Sequence, residues 1–440
     1  MKVAGIIAEY NPFHKGHKYQ LNRLRELAGP DYIIVAMSGD FLQRGTPALM
    51  DKYTRARMSL LQGADLILEL PACYATSSAE TFARGGILLL AATGLTDMLC
   101  FGAESDDLDR LKSLALLLNR EPDWYRSALL SSLKKGRSFP AARAEALPEY
   151  ADLLKQPNNI LAVEYLKAME NLAPAMEPLL IQRAGSGYHD TDITAPLASA
   201  SAIRDTLLHT SHHCDTLLHT TRHCDTPPTI GHTASTQTTV QSEIDWAALA
   251  EALPESSLKI MQEYEKDSAF LQEDDFSQLL HYCLLRETKE SLAGYLDMTE
   301  DLANRIDSRK KDFISWSSFC QLCNTKDTTY ARISRALTHI LLNIRTEDHK
   351  PCLSAIPCVL PYLRVLGFRR SATPLLTQLK SCAKAPIITS PAAAEGQLTA
   401  QGLAMLHTDI HASDLYRCIA TDKTGRAYPN EYQRKLLIIE

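Results

Sequence analysis

The sequence predicts an α/β protein, with a Rossmann-like parallel sheet in the first half and a mostly α-helical second half. Three observations predict it. Short apolar runs alternate with helix-period segments over the first 110 residues, the pattern of parallel strands joined by crossover helices. A low-complexity tract interrupts the chain after residue 204. Beyond it, apolar residues recur mainly at three and four spacing. These features divide the chain into a catalytic-type domain over 1–204, an insertion over 205–241 expected to be disordered, and a mostly helical domain over 242–440.

Each element follows from its own pattern. Strands are expected from Val3 to Ala8, Tyr32 to Met37, Leu66 to Leu70 and Met98 to Phe101, with helices between them from His17 to Leu27, Lys52 to Gln62 and Ser78 to Ala92. From Asp107 to about Leu172 the chain reads as helical, broken at Pro122, Pro140 and Pro148. Pro157-Asn158-Asn159 restarts it, and either asparagine can cap the helix that follows. Leu179 to Arg183 reads as a strand ending in the glycine-containing loop that runs to Tyr188-His189-Asp190. Ser199 to Arg204 then offers hydroxyls at a helix start and an arginine one turn in, a group able to hold phosphates.

Asp205 to Cys214 (DTLLHTSHHC) recurs almost unchanged as Asp215 to Cys224 (DTLLHTTRHC), followed by a Thr/Ser/His/Gln-rich tract to Gln241. A ten-residue period matches no solenoid unit, so 205–241 is taken as a mobile insertion outside the site. Helices are expected from Asp275 to Glu287, Glu290 to Ile306 and Tyr330 to Ile344. Short strands from Tyr362 to Phe368 and Ala385 to Thr389 are assigned to this second unit.

Composition narrows the function. With 440 residues, 45% of them hydrophobic, the chain can build two or three cores. No basic leader and no run of about 18 uncharged apolar residues is visible, so we expect a cytoplasmic protein with no membrane span. Eleven scattered cysteines make no disulfide framework, and Cys320-x-x-Cys323 has no second pair with which to hold zinc, so no metal site is expected. The net charge of −6 is uneven: residues 301–370 carry twelve Lys/Arg against six Asp/Glu, which is locally +6 and leaves −12 for the rest. Such asymmetry suits one face turned toward a polyanion. Lys326, Tyr330, Arg332, Arg335, Arg364, Arg369 and Arg370 are the expected backbone contacts to a nucleic acid, the cations neutralising phosphates and tyrosine available for stacking.

The chemistry is concentrated in Glu9-Tyr10-Asn11-Pro12-Phe13-His14-Lys15-Gly16-His17, a turn between the first strand and first helix. A helix N-terminus presents unbonded N–H groups and a partial positive charge, which together make a phosphate site. The glycine admits a polyphosphate to the backbone, and the imidazoles can donate hydrogen bonds to charge developing on phosphorus. The loops after the second strand (Ser38 to Gly45) and the fourth (Gly102 to Ser105) are expected over the same pocket, because ligands bind at the carboxyl ends of such strands.

His14-Lys15-Gly16-His17 after a first strand resembles the HxGH signature of the nucleotidyltransferase superfamily. EYNPFHKGH, MSGDFLQRGTPA, FARGG, FGAES, PNNILAVEYLKA, YHD, RISRALTHILLNI and YLRVLGF, in this order, resemble the bacterial tRNA(Met) cytidine acetate ligase family. The likeness fails only across the repeat insertion. It implies a Rossmann-like nucleotidyltransferase domain whose His14 and His17 serve catalysis. Nucleotide contacts would fall on Ile7, Ala8, Glu9, Tyr10, Asn11, Pro12, Phe13, His14, Lys15, Gly16, His17, Lys18, Tyr19 and Gln20, with Gly102, Arg183 and Asn159, Asn158 being the fallback for the last. The reaction implied is acetyl-adenylate formation from ATP and acetate, then acetyl transfer to the wobble cytidine of elongator tRNA(Met). A Mg²⁺ on the polyphosphate is expected from the chemistry, without a dedicated carboxylate cage. No protein partner is indicated. Asp40 and Arg44 are placed at the mouth for acetate or cytidine, and Ser201 and Arg204 on the phosphates, with Ser199 an open alternative to Ser201. Two rivals remain: an adenylyltransferase for a small metabolite, which needs no such helical extension, and an RNA-binding protein with an inactive nucleotide domain.

Overall fold

The computed structural model describes residues 1–183, 199–212, 244–349 and 360–440. The Tyr188-His189-Asp190 loop and residues 213–241 of the insertion lie outside the described residues. Strands β1 (Val3–Ala8), β2 (Tyr32–Ser38), β3 (Leu66–Leu70), β4 (Met98–Ala103) and β5 (Glu177–Gln182) come from the first half; β6 (Leu363–Arg369), β7 (Ile387–Ile388) and β8 (Leu437–Ile439) come from the C-terminal part. All share one sheet in the order β5-β4-β1-β2-β3-β6-β7, with β8 also paired to β6.

Strands β1 to β5 pair in parallel, and β6 meets β3 antiparallel. The central strands are continuous buried runs because both faces are covered. On one face, Ala4, Ile6, Val35 and Met37 pack with Leu21 and Leu24 of α1 (Lys15–Ala28) and with Ala56, Met58 and Leu60 of α2 (Lys52–Leu61). On the other, Val3, Ile34, Ala36 and Leu68 pack with Phe82, Ile87 and Leu90 of helix Ala79–Ala92 and with Ala162 of helix Pro157–Leu172. The chain leaves β1 for β2 on one side and comes back as β4 on the other, so the order reverses at β1. Open α/β sheets take their ligands at the carboxyl end of this point.

Several expectations need correction. The strands at 362–368 and 385–389 do not belong to a separate helical unit; β6 extends the first sheet through the pairs Leu66↔Phe368 and Glu69↔Arg364. The helix expected from Glu290 to Ile306 is two helices, Lys289–Leu292 and Glu300–Arg309, because Thr288 and Thr299 each start a new N-terminus by accepting from Ser291 and Leu302 N–H. The insertion does not begin at Asp205: helix Ala200–His212 runs into the first repeat copy, held by Ile203 and Leu207, which are buried one turn apart. Cys320 and Cys323 are buried free thiols in the core of helix Trp316–Cys323, and burial raises both pKa values, that of Cys323 to about 11.

The helical part is fastened directly to the loops above the sheet. Ser334 Oγ, on helix Tyr330–Leu341, donates to Gly45 C=O at 2.5 Å, and the His339 ring approaches Thr76 Oγ1 at 3.1 Å. Gly45 has φ +72, and a Cβ there would lie 2.3 Å from Arg335 N, so only glycine permits this approach. Among the described residues no helix is long and apolar enough to cross a membrane.

Candidate nucleotide site at the carboxyl end of β1

The turn between β1 and α1 is locked by its own histidines. His14 is the N-cap, and its Nδ1 accepts the Gly16 N–H at 3.0 Å. Reciprocally, His17 Nδ1 accepts the His14 N–H at 3.3 Å. This capping box, built from two imidazoles instead of a hydroxyl and a carboxylate, stacks the rings with centroids 3.9 Å apart. It also revises two expectations. The N–H groups of His14 and Gly16 are taken by imidazoles and are not left for phosphate. The glycine is needed chiefly by His14, since a Cβ at Gly16 would lie 2.7 Å from the ring's Cε1.

The protonation state follows from the same bonds. Burial, then the positive fields of Arg183 and Arg204, lower the His14 pKa to about 3. That of His17 lies well below its usual value through burial, the neighbouring His14 and Arg183. Both rings are neutral near pH 7. With each Nδ1 accepting a backbone N–H, the hydrogen-bond network assigns the ring proton to Nε2. The two histidines therefore offer Nε2–H donors that cannot drift with pH across the physiological range.

Neighbouring elements hold this turn in place. Arg204 donates from Nη1 to Asn11 C=O at 2.8 Å and from Nη2 to Ser201 Oγ at 3.1 Å, whereas Ser199 Oγ accepts from Ala202 N–H and caps the helix. Asn11 Oδ1 accepts from Leu49 N–H at 2.8 Å. Tyr10 and Phe13 are buried and form an aromatic floor under His17, with ring centroids 4.8 and 5.4 Å from it. Gln20 Nε2 faces Cys100 Sγ at 3.8 Å, Lys15 Nζ bonds Glu251 C=O, and Lys18 is exposed. Gly102 lies beside Arg183, whose backbone N–H donates to Ala103 C=O at 2.8 Å. Asn159 is buried at the start of helix Pro157–Leu172, and its Oδ1 accepts from Ser105 N–H at 2.9 Å. The site thus draws on the ends of β1, β4 and β5 and on helix Ala200–His212. It joins two neutral donors, two arginines and the positive end of α1, an arrangement that binds a polyanion and stabilises charge developing on it.

A family model described as HIGH nucleotidyl transferase matches residues 1–431. A tRNA(Met) cytidine acetate ligase from Halothermothrix orenii is 34% identical, with 97% of each chain covered, and one from Acetivibrio thermocellus is 31% identical over the whole of both. The chain belongs to this ligase family. Two solved structures of TmcAL from Thermotoga maritima also match over the whole of both chains: the apo form I, at 28% identity and a TM-score of 0.86, and form II bound with alpha-thio ATP, at 27% and 0.84.

Against the family's motifs, the loop after β2 departs from expectation. Asp40 is turned away from the turn: its Oδ1 accepts Lys52 N–H at 2.8 Å and its Oδ2 accepts Ser413 Oγ–H at 2.7 Å, both in the interior. Its carboxylate is thus engaged by the protein's own donors and does not face the histidine turn as expected. Arg44 is exposed at the tip of that loop. The RNA candidates separate in the same way. Arg364 is 2% exposed and pairs with Glu69 and Glu431 inside the sheet edge, out of reach of a phosphate backbone. Arg369 and Arg370 pair with Asp65 and Glu440 at the amino ends of the parallel strands, opposite the site. Arg335 is tied to Asp297 at 2.9 Å, and Tyr330 is half-buried with its OH 3.5 Å from Glu273. Lys326 is exposed and Arg332 half-buried on the helical part.

Arg55 was missed entirely. It is fully buried on α2 and donates to the carbonyls of Glu9 (2.6 Å), Met50 (3.0 Å), Ser38 and Gly39. One guanidinium so fixes the backbone leaving both β1 and β2. Its position in an amphipathic helix resembles that of any surface arginine, and no local signal marks it. Among the described residues no group of three His, Cys, Asp or Glu side chains could hold a metal ion.

Proposed function

We propose that this protein is an ATP-dependent tRNA(Met) cytidine acetate ligase. In the first step an acetate oxygen attacks the α-phosphorus of ATP; the new O–P bond forms as the bond to the β-phosphate bridging oxygen breaks, giving acetyl-adenylate and pyrophosphate. In the second, the N4 amine of the wobble cytidine of elongator tRNA(Met) attacks the acetyl carbon, AMP leaves, and the amine loses a proton. Neither step needs a covalent enzyme intermediate; both need positioning and charge stabilisation.

The observation that carries the reading is the pair of neutral Nε2–H donors flanked by Arg183 and Arg204, in a chain whose relatives of equal length bear that name. His14 and His17 donate to the oxygens around the α-phosphorus and the leaving pyrophosphate, Arg183 and Arg204 neutralise the polyphosphate, and Gly102 and Asn159 border the nucleoside. Mg²⁺ would enter with ATP on the polyphosphate and add positive charge there, the usual way such ions reach phosphate-transfer sites. The helical part, 244–349, receives the tRNA, with Lys326 and Arg332 its phosphate contacts.

Incubation with ATP, labelled acetate and unmodified elongator tRNA(Met) tests the reading. Label is expected on the RNA, and pyrophosphate release without the RNA should require acetate. AMP appearing on a small metabolite instead would refute it.

A further inference from the structure

Helix Pro157–Leu172 starts on a proline, and Gln156 supplies no side-chain cap. Its first N–H groups are met from across the site by Glu104, just past the end of β4. Glu104 Oε2 accepts from Asn159 N–H at 2.9 Å, and Oε1 accepts from Asn158 Nδ2 at 2.6 Å and from Asn158 N–H at 3.4 Å. In return, Asn159 Oδ1 accepts from Ser105 N–H at 2.9 Å. Residues 104–105 and 158–159 therefore clamp one another.

The clamp leaves Asn159 little choice of chemistry. It is 3% exposed, so its rotamer is set by packing, and its only acceptor atom is already bonded. What remains is the Nδ2 amide, for which no protein acceptor is found among the described residues. The surroundings narrow the partner further. A carboxylate at a helix N-terminus is favourable for the helix, but it repels a nearby phosphate. A group meeting Asn159 beside Glu104 is then an uncharged acceptor, such as a ribose oxygen or a ring nitrogen of the base.

We infer that Glu104 is a positioning residue for the nucleoside half of the nucleotide, holding Asn159 so that its Nδ2 donates to an uncharged acceptor there. This rests on the reading that ATP binds at the site. It assigns Glu104 no contact with the reacting atoms. A carboxylate that only capped the helix would contribute to stability and leave ATP affinity alone.

A binding cycle separates the two. ATP, and separately inorganic tripolyphosphate, are titrated into the full-length parent, Glu104→Ala, Asn159→Ala, the double variant and Asn158→Ala, with melting followed for each. Each of the first two substitutions is expected to weaken ATP about tenfold, the effect of one lost well-placed hydrogen bond. The double variant should bind no more weakly than Asn159→Ala alone, because the two act as one unit. Tripolyphosphate affinity should stay within about twofold of the parent, well inside the scatter expected when no hydrogen bond is lost. Glu104→Gln, which keeps one acceptor, should recover part of the ATP affinity, and it is the variant to use if Glu104→Ala fails to fold. Asn159→Asp, which keeps the acceptor but loses the donor, should bind ATP as poorly as Asn159→Ala. Additive losses, equal loss of tripolyphosphate, or coupling of Glu104 to Asn158 alone would overturn the inference while leaving the functional reading intact. A parent that binds tripolyphosphate but not ATP would overturn both.

Discussion

Replacing His14 by alanine removes two things that can be weighed separately. The first is the Nδ1 acceptor for Gly16 N–H at 3.0 Å; losing an N-cap costs about 1 kcal/mol of stability, roughly a few degrees of melting temperature for a domain this size. The second is the Nε2–H donor toward developing charge; removing one such preorganised donor costs about 10²- to 10³-fold in rate. The stability loss is too small to unfold the protein, so the rate loss should be seen in a folded enzyme. The assay is acetate-dependent pyrophosphate release without tRNA, which isolates activation. His14→Asn retains an amide donor and a side-chain acceptor on the same stem, and should recover part of the rate. An alanine variant turning over ATP like the parent would sink the catalytic assignment. Equal loss in the alanine and asparagine variants would show that an imidazole is required for more than hydrogen-bond donation.

Three further outcomes follow from the geometry. Gly45→Ala, with φ +72 and a Cβ that would sit 2.3 Å from Arg335 N, should destabilise by about 1–3 kcal/mol; a melting curve unchanged from the parent would show that the helical part does not press on this loop. Arg364→Ala leaves the buried carboxylates of Glu69 and Glu431 to share Lys52 and should cost about 3–5 kcal/mol, while Arg332→Ala should leave melting alone and lower the salt slope of tRNA binding by about 1; denaturant melts and filter binding over a range of salt distinguish the two, and the reverse pattern would move the RNA surface back to the sheet edge. Because His14 titrates at about 3 when folded and 6.5 in its ordinary state, the unfolded chain takes up a proton between those values that the folded chain does not. Stability should therefore be full above pH 6.5 and fall as pH drops toward 3, by up to about 1.4 kcal/mol per unit from this residue. In His14→Asn that part of the slope should vanish, and a slope unchanged in urea melts at stepped pH would refute the buried, neutral state.

How much of this was legible in the residues depends on distance along the chain. The histidine turn was legible because its parts are local: strand, N-cap, glycine and the first turn of α1 lie within fifteen residues, and the bonds between His14, Gly16 and His17 span two or three. The alternation that predicted β1 to β4 is equally local. Much of what escaped was carried by partners far along the chain, some of them hundreds of positions away. Asp40 was expected at the mouth because its loop follows a parallel strand, but Ser413 reaches it from helix Ala400–Thr424 and draws its carboxylate inward. Arg364 looked like one more cation in a basic stretch. The antiparallel pairing of β6 with β3 sets it beside Glu69, and Glu431 and Lys52 complete a buried group of alternating charge. Local charge density reads as a sign of RNA binding, yet Arg364 and Arg369 join the C-terminal part to the sheet through Glu69 and Asp65. Of the six cations read as RNA contacts, setting aside Arg335, Arg364, Arg369 and Arg370 leaves Lys326 and Arg332, both on the helical part whose helix Tyr330–Leu341 presses on the loop at Gly45. A tRNA bound there would bear on a helix in direct contact with the loop after β2, and Glu9 Oε1 ties that loop to the histidine turn through Gln43 N–H at 2.8 Å. A continuous chain of contacts thus joins helix Tyr330–Leu341, through Gly45 and Gln43, to Glu9 at the histidine turn.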